Sequence, residues 1–246
     1  MSSEIGVLAL RLEGPMQSWG YDSQFNRRHT ALFPTKSALA GLCCAAMGLS
    51  RGSDKEKDTL KKFSQLRLLS ISIPKANKKE KLSVKRMQDY HTVGGGYDPK
   101  NTHEAGSITK TAEGKPRVKK GQPLAVLTYR QYLNDASFLA LLKGDKEFLE
   151  TIANHLKNPT WGIWLGRKAC IPSAPVFAGI FKSEEKAVWS LCKLPLKAFS
   201  YMEEVNSFES GIDSYMDQPV SFALYERKFS PRRIMIHEAE PAENNN

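Results

Sequence analysis

The chain has 246 residues, a formal net charge of +10 and a sequence pI near 9.4. Its length is enough to bury a core and allows one large domain or two small ones. Nothing in it approaches the roughly 18–20 consecutive apolar residues of a membrane-spanning helix, so no membrane partner is expected. Met1 to Leu12 does not read as a signal peptide: it lacks a basic start, contains Glu4, and its apolar run is too short. Cys43, Cys44, Cys170 and Cys192 have no metal-ligand spacing. Reduced thiols, a cytoplasmic setting and no metal or other cofactor are therefore expected. Charge is unevenly placed. Residues 1–71 carry 10 basic and 6 acidic side chains, residues 72–130 carry 13 and 5, and residues 131–246 carry 13 and 15. A positive field confined to the first half points to one basic face, the alternative for the middle segment being a solvated Lys-rich loop.

In chain order, Ile5 to Leu12 reads as a buried strand that stops at Gly14-Pro15. A polar loop holding Trp19 and the pair Arg27-Arg28 follows. Thr35 is then a plausible N-cap for a small-residue helix through Met47, with Gly48 as its stop. Ser53 and Glu56 have capping-box spacing before a short helix ending near Phe63. Leu66 to Ile73 is a second strand. Strands at about Leu82–Val93 and Leu124–Tyr132 flank a basic excursion rich in Lys, Gly, Thr and Asn, long enough to be functional or disordered. Phe138 to Leu142 is a short strand. Asp145 to Leu156 is an amphipathic helix burying Phe148, Leu149, Ile152, Ala153 and Leu156. A Pro-punctuated loop leads to a strand from Val176 to Phe181. The remainder suggests strands near Val220–Glu226 and Arg233–His237, then a disordered tail. This order predicts an α+β chain. Residues 1–183 suit a ferredoxin-like (RRM-like) βαββαβ domain carrying a long β-hairpin thumb at about 75–130. Residues 184–240 form a small β-rich C-terminal part, and 241–246 a disordered tail.

A strand that hands over to an aromatic, a basic pair and a helix start containing Lys is suited to holding a phosphate chain. The helix N-terminus offers free N–H groups and partial positive charge, and Arg27, Arg28 and Lys36 add full charges. Trp19 suits either a stacking face or a core aromatic at the loop root. Gly166-Arg167-Lys168 is either a Gly-led phosphate-binding turn or a plain surface turn. Trp161 and Trp164 read as core or subunit-contact residues. His91, beside Tyr90 and on one strand with Lys85 and Arg86, suits an RNA contact or structure. Acid–base work in a metal-independent endoribonuclease is its alternative role. A generic basic scaffold is a third possibility. On the helix-start reading, Lys36→Glu weakens RNA retention more than Lys57→Glu, and folding survives both.

Six blocks resemble the CasD subunit family of the type I-E CRISPR Cascade complex, a branch of the RAMP superfamily. They are Leu10 to Gly20, Arg28-His29-Thr30, Phe33-Pro34-Thr35-Lys36-Ser37, Asp89-Tyr90-His91-Thr92-Val93, Thr128 to Phe138, and Leu165-Gly166-Arg167-Lys168-Ala169-Cys170. Ala38, Ala169 and Ile171 depart from the family pattern. The resemblance implies a non-catalytic RNA-binding subunit that grips the 5′ handle of the CRISPR RNA and caps one end of the assembly. It implies CasC backbone subunits and the large subunit CasA as neighbours, target DNA within the assembled complex, and RNA processing by a different subunit, CasE. The RNA-binding residues expected on these grounds are Gln17, Trp19, Arg27, Arg28, Lys36, Ser37, Lys85, Arg86, His91, Arg130, Gly166, Arg167 and Lys168.

Overall fold

A computed structural model of the chain describes residues 4–21, 23, 26–74, 85–93, 110–111, 115, 118–119, 122–123, 125–206 and 213–240. The tip of the basic excursion and the tail after 240 lie outside the described residues. The fold is a mixed α+β arrangement built on antiparallel sheets. Its first strand, β1 (Ile5–Glu13), explains the rest. An unbroken apolar strand must be covered on both faces, and here it is. Leu8, Leu10 and Leu12 enter one core cluster; Val7 and Ala9, pointing the other way, enter a second. The same alternation divides Phe138, Ala140 and Leu142 from Leu139 and Leu141.

Helices α1 (Lys36–Ala46) and α2 (Asp54–Ser64) lead from two short strands, β2 (Met16–Gln17) and β3 (Arg27–Arg28), to β4 (Arg67–Ser72). After β5 (Lys85–Val93) and the two-residue strands β6 (Val118–Lys119) and β7 (Gln122–Pro123) come β8 (Val126–Asn134) and β9 (Ser137–Asp145). Then follow α3 (Lys146–Lys157), β10 (Phe177–Phe181), α4 (Glu184–Cys192), a single 3-10 turn, β11 (Tyr201–Val205), β12 (Asp213–Ser221) and β13 (Lys228–His237). One sheet of seven strands runs β10-β1-β9-β4-β11-β13-β12, with every neighbouring pair antiparallel. A second sheet is centred on β8. β5 pairs along the whole of β8, from Lys85 opposite Asn134 to Val93 opposite Val126. β2 and β3 therefore share the other edge of β8, β3 in parallel.

Local signals fix the helix ends. α1 closes with Gly48 at φ +69°, and the N–H groups of Gly48 and Leu49 donate to the carbonyls of Ala45 and Cys44 at 3.1 and 2.9 Å. That is the glycine-terminated double bond of a Schellman end. Ser53 Oγ accepts from Glu56 N–H at 3.2 Å and starts α2. Asp145 caps α3 through Phe148 N–H at 3.0 Å, and the five apolar residues expected on its inner face are all buried.

The C-terminal segment departs from its strand boundaries. Residues 222–226, expected within a strand, belong with 227 to the turn between β12 and β13; its apolar Leu224 and Tyr225 are exposed rather than paired. α4 was not expected. Its signal is Ser183, whose side chain accepts from Lys186 N–H, followed by two acids in the first turn. β11 then pairs with β4, Tyr201 opposite Ile71, so these strands extend the first sheet. β12 packs beside α1 and α2 as a result.

Candidate nucleic-acid interface

Three residues expected to touch RNA are interior. Trp19 is fully buried; its backbone N–H donates to Thr30 Oγ1 at 2.8 Å and its indole N–H to Gln17 Oε1 at 3.1 Å. Gln17 is equally buried, and its amide donates to the carbonyls of Leu12 and Ala136 at 2.9 and 2.7 Å. This side chain ties the end of β1 to the β8–β9 turn and orients the indole. A ring packed on both faces has no face left for a base, so Trp19 takes the core alternative and Gln17 supports it.

Lys36 is the third. Its ammonium is buried and donates to both carboxylate oxygens of Glu204 at 3.0 Å and to the Ser64 carbonyl at 3.2 Å. Its backbone N–H donates to Asp217 Oδ2 at 2.8 Å. Arg232 holds that carboxylate in turn, Nε to Oδ1 at 2.6 Å and Nη2 to Oδ2 at 2.9 Å. Thr35 makes no side-chain cap; Asp217 does that work from β12. The negative partner that a helix start invites is thus a carboxylate of the protein itself, and α1 does not offer its first N–H to a phosphate. Burial lowers the Lys36 pKa below the ordinary lysine value, and the Glu204 charge offsets only part of that.

What remains at the surface is a groove of about 740 Å³. Ser37, Ala38, Gly41 and Ala45, small residues at helical spacing, present one face of α1 to it. The small-residue stripe thus makes room in the groove rather than a close helix contact. Arg28 reaches the groove from β3, and Gly166, Arg167 and Lys168 from the turn after Leu165. Arg51 and Arg227 join them, so the described lining carries five cations against one acid, Glu56. The Glu56 Oε2 accepts the Gly52 N–H at 2.7 Å. Aromatic surface is close by. Tyr21 stacks on Tyr215 with centroids 5.9 Å apart and an interplanar angle of 14°, and Trp161 is 45% exposed. Trp161 and Trp164, expected in a core or subunit contact, both line the groove, and Trp161 is too exposed for the core.

Arg167 has a different task from the bidentate phosphate grip expected of it. Its Nη1 donates to the Gln131 carbonyl at 2.9 Å and its Nη2 to the Arg28 carbonyl at 3.0 Å, while Tyr132 lies 4.6 Å beneath the guanidinium. It clamps β3 and β8 together and so positions Arg28. Gly166 makes the turn possible. At φ +100°, any Cβ there would sit 1.8 Å from the Ser18 carbonyl oxygen.

Residues 7–235 match the model of the family described as CRISPR-associated protein (Cas_Cas5). The chain belongs to this family. It is 31% identical over 210 residues to the CRISPR system Cascade subunit CasD of Escherichia coli (strain K12), across 80% of this chain and 81% of that protein. Its structure matches a chain of a CRISPR RNA-guided surveillance complex at a TM-score of 0.69 and 28% identity, covering 95% of this chain and 90% of that one. It also matches a solved structure described as a Cas protein at a TM-score of 0.62 and 26% identity, covering 95% and 94%.

In this member of the family the remaining expected residues lie on the second sheet. Arg27 is exposed on β3, its guanidinium 6.0 Å from the Tyr129 ring. Tyr129 packs against Tyr90 at 5.3 Å. Lys85 and Arg86 are exposed at the start of β5, and Arg130 Nε donates to Thr128 Oγ1 at 3.1 Å. Strand alternation puts His91 with Lys85, Met87 and Asp89 on one face, and Tyr90 with Arg86 on the other. Lys85 and His91, though on one face, are six residues or about 20 Å apart along the strand. Lys85, Arg86, Tyr90 and His91 thus do not converge on one phosphate. Among the described residues, no helix is long and apolar enough to cross a membrane.

Proposed function

We propose that the chain is a non-catalytic RNA-binding subunit of a type I-E Cascade complex acting in the cytoplasm. It grips the 5′ handle of the CRISPR RNA and caps one end of the assembly, beside CasC backbone subunits and the large subunit CasA. It thereby supports RNA-guided binding of foreign DNA in antiviral defence. The observation that carries the reading is the groove, with five cations, one acid and several aromatic faces among its described lining residues. A single strand of RNA needs that combination: charge along the backbone and flat surfaces for splayed bases. The similarity to a Cascade subunit adds the setting. On this reading β10-β1-β9-β4, with α1 and α2 on one crossover and α3 on the other, is the ferredoxin-like βαββαβ unit of residues 1–183. The β5–β8 pair is the root of a thumb hairpin spanning about 75–130, and residues 184–240 are the β-rich C-terminal addition.

The test is retention of a short 5′-handle RNA by the purified full-length chain through a salt gradient. Affinity should fall steeply, each released single-strand counterion contributing about −0.7 to the slope of log affinity against log salt. Lys168→Glu should weaken retention well beyond Lys57→Glu, since Lys168 lines the groove while Lys57 pairs with Asp54 on the exposed face of α2. A flat salt response, or equal losses in the two variants, overturns the reading. A second expected result concerns catalysis. Repeat RNA incubated with the chain in EDTA should stay intact; specific cutting that vanishes in His91→Ala would establish the ribonuclease instead.

A further inference from the structure

We propose that Arg51 and Arg227 form a phosphate subsite inside the groove that takes a phosphodiester of the bound strand; this rests on the RNA-binding reading above. The two residues come from turns far apart in sequence. Arg227 closes the β12–β13 turn, where its guanidinium carbon lies 5.9 Å from the Phe222 ring centroid and 5.3 Å from that of Phe229. The rings are 6.3 Å apart and tilted by 57°, so the cation sits beside the notch between two aromatic rings. Such contacts fix the guanidinium while leaving N–H donors free for an anion. Arg51 precedes Gly52, which has φ +77°, and a Cβ added at Gly52 would meet the Ala223 Cβ at 3.2 Å. That close approach packs the Arg51 turn against the turn bearing Arg227, and both side chains line the groove.

Among the described residues neither arginine is ion-paired. Desolvation, and after it the neighbouring Arg51 charge, pushes the Arg227 pKa below its ordinary value. Two guanidiniums brought together repel, and the acid in the described lining, Glu56, is engaged by the Gly52 N–H at 2.7 Å rather than ion-paired with either. A tetrahedral anion between the arginines reverses the sign of their interaction and accepts from both. A phosphodiester fits better than a small free anion because the groove continues to Arg28 and Lys168. A chain of phosphates can meet all of them together. The last seventy residues, silent as sequence, then contribute directly to RNA binding.

The test compares full-length wild type, Arg51→Gln/Arg227→Gln and Lys168→Glu for handle-RNA affinity across salt, with thermal melts to confirm folding. Removing the one phosphate contact that the pair makes should lower the slope by about 0.7, so that between roughly 50 and 200 mM salt the double variant loses about 2.6-fold less affinity than wild type. The loss should be the same for RNAs of different sequence, because phosphates carry no base identity. An unchanged slope in the double variant with a reduced affinity in Lys168→Glu overturns the subsite and leaves the RNA-binding reading standing. No change in either variant overturns both. If inorganic phosphate at constant ionic strength raises the melting temperature of wild type but not of the double variant, while both bind RNA alike, the pair is a free-anion site and the phosphodiester assignment fails.

Discussion

Lys36→Glu should leave little folded protein, while Lys57→Glu should stay within about 0.5 kcal/mol of wild type. The sequence reading had both variants folding. The difference lies in where the ammonium goes. Lys36 is completely buried against Glu204, with Asp217 and Arg232 completing the cluster. A carboxylate at position 36 would face Glu204 in a nearly closed space, and Arg232, the cation left in the cluster, lies 4.0 Å from Glu204 and is already paired with Asp217. Lys36→Met is the milder probe and should cost about 3 kcal/mol, chiefly because the half-buried Glu204 loses its closest cation. Glu204 also accepts the Leu68 N–H at 3.2 Å, and a glutamine would keep that acceptor. Lys36→Met/Glu204→Gln should therefore recover most of the loss. Desolvation is the largest influence on Lys36 and pushes its pKa down. The folded state thus binds this proton less tightly than the unfolded one does, and the Lys36 contribution to stability should rise with pH from the lowered pKa up to the ordinary value. Urea midpoints for the four variants check this. A Lys36→Met protein as stable as wild type would show that the cluster is solvated rather than buried.

Strands and helices that announce themselves locally were legible. β1 is apolar from Ile5 to Leu10, α3 repeats its apolar residues at helical spacing, and α1 and α2 carry their stop and start in Gly48 and Ser53. α4 carried a local signal in Ser183 that went unread, but the errors at the site share one cause, which is contact between residues distant in the chain. Lys36 has the local appearance of a phosphate ligand at a helix start. Its actual partner is Glu204, 168 positions away, and its N–H partner Asp217 is 181 away. Pairing of β11 with β4 delivers Glu204 to α1, β13 and β12 continue the sheet to bring Asp217, and nothing near Lys36 records those pairings. The groove was half legible for the same reason. Arg28 and Lys168 stand in recognisable turns, whereas Arg51 and Arg227 become groove residues only when the β12–β13 turn packs against Gly52. Trp19 could have gone either way. Its burial depends on Gln17, Thr30 and the β8–β9 turn closing around it.

Gly166→Ala should damage stability and RNA retention together, and more than Lys168→Ala does. Gly166 has φ +100°, where an L-residue is strained, and its new methyl would meet the Ser18 carbonyl oxygen at 1.8 Å. Neither partner can yield cheaply, because the obstacle is backbone. Ser18 N–H donates to the Leu165 carbonyl at 3.0 Å, and Leu165 N–H to that of Cys170 at 2.8 Å, so the turn and the loop are pinned to each other. Relieving the clash must move the turn, and with it the Arg167 guanidinium that holds the carbonyls of Arg28 and Gln131. The expected cost is about 3 kcal/mol, from backbone strain and broken hydrogen bonds in combination. Lys168→Ala removes one exposed cation and should change stability by about 0.5 kcal/mol or less. Arg167→Lys separates the two consequences. It keeps the charge but loses the planar fork that spans two carbonyls. RNA retention should fall with little change in the salt slope, because Arg28 is misplaced while the number of cations is unchanged. Urea unfolding beside handle-RNA retention reads both quantities. A Gly166→Ala protein with wild-type midpoint and retention would mean that the turn does not position the groove.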